Sequence, residues 1–114
     1  MEEFKKKPFD CRLKEAERLA YKYHDRVPIL IQAGNARTPS TPSFKYLVPK
    51  TSSVAEFVGV IRKKTGVKPH QAIFVFINGS LPPSSKTMFE VYMEHREEDG
   101  FLYVTYTLEN TFGN

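Results

Sequence analysis

With 114 residues, 17 basic and 13 acidic side chains and a net charge of +4, the chain has the size of one domain and a mild positive excess. That excess suits anionic partners, but it does not choose among acidic peptides, membrane surfaces and nucleic acid. Cys11 is the only cysteine, which excludes an intramolecular disulfide and a four-thiolate zinc site. With 40% apolar residues, nine Phe and six Tyr, the chain has ordinary globular composition and enough length for a real core. No apolar run approaches the roughly 20 residues of a membrane-spanning helix. MEEFKKKPFD also lacks the apolar centre of a secretory signal, so a soluble, cytoplasmic protein is expected.

In chain order, Glu2 to Lys7 reads as a short helical turn stopped by Pro8. Residues 9–24 carry a strong helix pattern, with Asp10 as N-cap and Leu13, Ala16, Ala20 and Tyr23 on one face. Val27 to Ala33 is rich in β-branched residues and predicts a strand, with Pro28 near its start where a missing N–H is tolerable. GNARTPSTPS has loop chemistry. A second strand follows over Phe44 to Val48 and stops at Pro49, giving an antiparallel hairpin. Ser53-Val-Ala-Glu56 is a capping box. Val54, Phe57, Val58 and Ile61 follow at helical spacing, and Gly66 suits a left-handed C-terminal cap.

Ala72 to Ile77 (AIFVFI) is continuously apolar and predicts an interior strand, closed by the Asn78-Gly79 turn. A third long helix is expected from about Ser85, with Met88, Val91, Tyr92 and His95 on one face. Asp99-Gly100 then turns the chain into a last strand, Phe101 to Thr107. This order gives an α+β fold in which neither layer buries its apolar face alone. A four-stranded mixed sheet wrapped over a helix, the ubiquitin-like β-grasp, fits it with an N-terminal helical extension. Residues 1–24 would be that extension, 25–108 the core and 109–114 a tail, all within one domain.

DRVP (25–28), KYLVP (45–49), VIRKK (60–64), AIFVFIN (72–78), LPP (81–83) and EEDGFLYVTYTLENTFG (97–113) together resemble the autophagy-related protein 8 family. These are ubiquitin-like modifiers that include the microtubule-associated light chain 3 and GABA-A-receptor-associated proteins. The resemblance implies trimming by a dedicated cysteine protease after Gly113, with removal of Asn114. It further implies passage of the Gly113 carboxylate through activating and conjugating enzymes, and an amide bond to phosphatidylethanolamine on autophagosomal or vesicle membranes. A residue without Cβ suits a tail threaded through narrow enzyme clefts. The chain would then be a substrate rather than an enzyme, with no cofactor other than its covalent lipid.

The same resemblance implies recruitment of cargo receptors through short aromatic-x-x-aliphatic motifs, added as a strand to the edge at Phe44–Val48. A first pocket maps onto Glu15, Leu19, Pro28, Leu30, Lys45, Leu47 and Phe101. A second maps onto Tyr46, Val48, Pro49, Phe57, Val60 and Ile61. Arg26, Lys45, Arg62 and Lys64 would meet acidic residues of the ligand. Phe74 and Phe76 share one strand face, which the resemblance turns towards the protease and simple packing would equally explain. Ser52 stands where many relatives carry an apolar pocket wall, so the aliphatic preference of the second pocket is open.

Other readings compete. His24, His70 and His95 have no metal-ligand spacing. A Cys11–His catalytic pair lacks an orienting third group. A non-conjugated peptide-binding adaptor in vesicle trafficking is the main alternative, and a basic nucleic-acid module rests on charge and interleaved aromatics alone, so no nucleic-acid partner is expected.

Overall fold

The computed structural model describes residues 2–108. Their elements are helix α1 (Glu2–Lys5), helix α2 (Phe9–Lys22), strand β1 (Arg26–Ala33), strand β2 (Lys45–Pro49), helix α3 (Val54–Thr65), strand β3 (Ile73–Phe76), helix α4 (Met88–His95) and strand β4 (Leu102–Leu108). The strands form one mixed sheet in the order β2-β1-β4-β3. β1 pairs antiparallel with β2, from Arg26↔Pro49 to Leu30↔Lys45, and parallel with β4, from Ile29↔Leu102 to Ala33↔Tyr106. β3 pairs antiparallel with β4. Pro28 is tolerated inside β1 because the β4 ladder begins one residue later, at Ile29.

Strand alternation divides the sheet into two apolar faces. Val27, Ile29 and Ile31 of β1 and Leu102, Val104 and Tyr106 of β4 enter the main core with Phe57 and Ile61 of α3 and Met88 and Val91 of α4. The opposite face places Leu30, Phe101 and Tyr103 in a second cluster with Phe4 of α1 and Ala16 of α2. The N-terminal helices therefore act as a second cover on a sheet that already has one.

The Ser53–Glu56 capping box forms in full, and Gly66 closes α3 at φ 73°. Asn78 and Gly79 turn the chain with positive φ, as a tight turn demands.

Three expectations are corrected. Asp10 is not the N-cap of α2. Pro8 holds that place, its carbonyl accepting the Cys11 and Arg12 amides, and Asp10 lies in the first turn, where its carboxylate faces the positive end of the helix dipole. The third long helix begins at Met88 rather than near Ser85, because Thr87 is fixed in an extended conformation by a second capping box with Glu90. The AIFVFI strand lies at a sheet edge rather than in its interior. Ile73 and Val75 enter the main core, whereas Phe74 and Phe76 on the other face are half-buried.

Candidate functional site

β2 is the other edge of the sheet, and its outer side pairs with no strand among the described residues. Beside it lies a cavity of about 280 Å³ lined by Glu15 and Leu19 of α2, Pro28 and Ile29 of β1, Lys45, Tyr46 and Leu47 of β2, and Phe101. Helical spacing explains the α2 contribution, since residues four apart share a face. Strand alternation puts Pro28, Lys45 and Leu47 on the face that α2 covers. Six of the seven residues assigned to the first pocket thus come together. Leu30 does not line it; the residue is fully buried in the cluster containing Phe4, Ala16 and Phe101. Ile29 and Tyr46 line it although the sequence had not placed them there.

Charge is arranged at the rim. Lys45 Nζ pairs with Glu15 Oε2, with side chains 36% and 18% exposed. The pair is part-buried, so a carboxylate arriving at the rim would have to compete with Glu15 for Lys45. The same ammonium lies 4.9 Å from the Phe4 ring centroid and 5.7 Å from that of Phe44. Arg26 is exposed and donates from Nη1 to the Leu47 carbonyl at 3.2 Å, which sets a second cation beside the strand.

The residues assigned to the second pocket divide by burial. Val48, Phe57 and Ile61 belong to the main core, with Tyr46 packed against it. Pro49 is exposed, as is Val60 at 41%. The accessible surface there is Tyr46, Pro49 and Val60, over a floor of buried side chains. Ser52 is held by its backbone, its amide bonded to Pro49 O and its carbonyl accepting the Met88 amide at 2.7 Å. Arg62 donates to the Lys68 and Gln71 carbonyls, both at 2.7 Å, and so ties down the segment after α3. Lys64 is exposed. Gly113 and Asn114 lie outside the described residues.

A buried network that sequence reading missed fixes α2, and with it one wall of the cavity. Asp99 is 1% exposed, yet had been read only as a turn residue. Its carboxylate accepts from Arg12 Nη1 at 2.8 Å, from the Phe101 amide at 3.0 Å and from the Tyr103 hydroxyl. Burial, followed by the bond to Asp99, pushes the Tyr103 phenol above the ordinary tyrosine range. No local signal announces this ionic link, because Arg12 is 87 residues from Asp99. Among the described residues, no group of three His, Cys, Asp or Glu is placed to hold a metal.

Comparison with known proteins agrees with this geometry. The family described as "Autophagy protein Atg8 ubiquitin like" matches residues 11–113. Autophagy-related protein 8 of Candida glabrata is 47% identical over 107 residues, covering 93% of this chain and 91% of that protein. Autophagy-related protein 8a of Arabidopsis thaliana is 44% identical over 108 residues, covering 94% and 88%. The crystal structure of Trypanosoma brucei ATG8 superposes with a TM-score of 0.88 at 35% identity, covering 95% of this chain and 94% of that one. A ubiquitin-like sheet, with two added helices and an open edge at β2, thus places this chain in the Atg8 family of autophagy proteins.

Proposed function

We propose that this protein is a conjugated modifier that brings short peptide motifs to a membrane. The observation that carries the peptide half is the β2 edge beside the cavity lined by Leu19, Pro28, Leu47 and Phe101, with Lys45 and Arg26 at its rim. An extended segment would add its main chain to β2, seat an aromatic residue in the cavity and set an aliphatic one against Tyr46, Pro49 and Val60. Acidic flanking residues would meet Lys45 and Arg26. Arg62 is already engaged with two carbonyls, so Lys64 is the better candidate in its cluster.

The membrane half rests on family membership and on a family match that runs to Gly113. A cysteine protease would hydrolyse the Gly113–Asn114 bond. Adenylation of the freed carboxylate at the expense of ATP, transfer to enzyme thiols and attack by the phosphatidylethanolamine amine would follow, with release of the thiol. No helix among the described residues is long and apolar enough to cross a membrane. Attachment would therefore depend on the lipid, whose two acyl chains, at about 0.8 kcal/mol per buried CH₂, hold stably where one does not. The protein would be acted on by these enzymes and would recruit receptors, moving from cytoplasm to autophagosomal membrane.

Intact mass after incubation with a lysate competent for autophagy tests the first step. Loss of Asn114 is expected, and Gly113→Ala should abolish membrane partitioning in cells. Full-length, soluble protein under those conditions would overturn conjugation and leave a peptide-binding adaptor. Titration with a Trp-x-x-Leu peptide tests the second half. Lys45→Ala combined with Leu47→Ala should weaken binding about tenfold or more, the scale of one or two lost contacts, and unchanged affinity would move the peptide site elsewhere.

A further inference from the structure

Helix α1 has four residues and a single buried side chain, Phe4, which is 2% exposed. Its ring meets Phe101 in a T-shaped contact, with centroids 5.1 Å apart. Phe101 also lines the peptide cavity, whereas Phe4 does not. The Phe101 ring is thus shared between the space proposed for an aromatic anchor and the one side chain that docks α1. Lys45 is shared in the same way. It lines the cavity and binds Glu15 there, and its ammonium lies 4.9 Å from the Phe4 centroid, a favourable cation–π distance.

We propose that Phe4 is a positioning residue for the aromatic-binding cavity, acting through Phe101 and Lys45. This rests on the peptide-binding reading above. With α1 docked, Phe101 is supported on the side facing Phe4 and presents a fixed wall. Without the Phe4 ring, Phe101 relaxes partly into the vacated space, as cavity linings do, and Lys45 loses one of the faces that hold it at the rim. A large flat anchor needs that wall in place. A small aliphatic anchor needs it less. Docking of α1 and occupation of the cavity by an aromatic residue therefore favour each other, and the coupling is reciprocal.

The Phe4 ring also meets Phe44, with centroids 6.2 Å apart, and further ties of α1 lie outside its buried side chain. Lys5 Nζ lies 4.4 Å from the Tyr103 ring centroid, and Arg12 Nε donates to the Lys7 carbonyl at 3.1 Å. The Lys6 and Lys7 amides bond to the Glu3 and Phe4 carbonyls at 3.3 and 3.1 Å, and so report α1 directly. An element with one buried residue belongs to the low-stability end of a fold.

The test uses the full chain and two acidic peptides differing only in the anchor, Trp-x-x-Leu and Leu-x-x-Leu. Phe4→Ala should cost the Trp peptide about five- to tenfold more affinity than the Leu peptide, the scale of one aromatic pair. A purely structural role would weaken both equally. In the wild-type protein, where no substitution can disturb folding, saturating Trp peptide should slow hydrogen exchange at the Lys6 and Lys7 amides more than saturating Leu peptide does. Equal losses for the two peptides overturn the role of Phe4, as does exchange at Lys6 and Lys7 that ignores the Trp peptide. Wild-type protein that binds neither peptide overturns the peptide reading itself and this inference with it.

Discussion

Gly100→Ala offers a sharp test of how α2 is seated. Gly100 is buried at the turn into β4 with φ 88°, a region that L residues rarely adopt. A Cβ placed there would lie 2.9 Å from Ala16 Cβ, on the helix that supplies Glu15 and Leu19 to the cavity. Positive φ costs a non-glycine residue roughly 1–2 kcal/mol. Forcing a methyl group against a packed neighbour adds roughly 1–3 kcal/mol. Together these predict a loss of about 2–5 kcal/mol, which for a domain of this size corresponds to a drop in Tm of roughly 8–20 °C. Urea denaturation should show the loss as a lower midpoint with an unchanged slope. Ala16→Gly, which itself costs about 1 kcal/mol in a helix interior, should relieve the clash but not the dihedral strain. The double variant should therefore be more stable than the sum of the two single losses. A Gly100→Ala protein within about 0.5 kcal/mol of wild type, the range of an uneventful surface substitution, would refute the close seating of α2 on this turn. Strict additivity in the double variant would refute the steric part alone.

Three further outcomes are expected. Tyr103→Phe removes the hydroxyl bonded to the buried Asp99 carboxylate and should cost about 1.5–3 kcal/mol in the same denaturation assay, the usual range for a hydrogen bond to a charged group. Ser53→Ala removes one half of the α3 capping box and should cost about 1 kcal/mol; a neutral result would mean that the cap contributes nothing to the folded state. Glu90 accepts the Thr87 amide and hydroxyl, and chiefly the backbone bond lowers its pKa from the ordinary 4.5. A depressed carboxylate contributes stability that is present above pH 4.5 and is lost as pH falls through its folded-state pKa. The advantage of wild type over Glu90→Gln in thermal melts should accordingly be constant near neutrality and shrink below pH 4.5; an advantage that grows on acidification would reverse the assigned sign.

What the sequence discloses and what it hides divide along the range of the interactions. Ser53 and Glu56 are three residues apart, and Gly66 marks its own helix end, so α3 is legible without a structure. The β1–β2 hairpin is legible because its strands are neighbours in the chain. The place of AIFVFI is not. A run apolar on both faces suggests cover on both faces, but whether it stands inside the sheet depends on β1 pairing in parallel with β4, some 70 residues away. Nor is Leu30 separable from Pro28 by alternation, since both point to the α2 side. Only the packing of Phe4, Ala16 and Phe101 seals one and leaves the other at the cavity. The Asp99–Arg12 link and the Phe4–Phe101 contact also close over most of the chain, with no local pattern to mark them.

If β2 accepts a peptide as proposed, the form of that edge puts selectivity in side chains. An exposed strand edge invites any extended segment, and proteins blunt such edges by keeping them short, charged or interrupted by proline. β2 has all three features: five residues, Lys45 at one end and Pro49 at the other. Main-chain pairing over so few residues, one of which lacks an N–H, gives a passing segment little to hold. In the proposed peptide reading, affinity would depend on what fills the cavity between α2 and β2, and on what draws Lys45 away from Glu15. The features that protect the edge against indiscriminate pairing would thus favour a ligand bringing a large apolar anchor and a negative charge together. The discriminating surface would then be shared between Glu15 and Leu19 of α2 and Pro28, Lys45, Leu47 and Phe101 of the ubiquitin-like core.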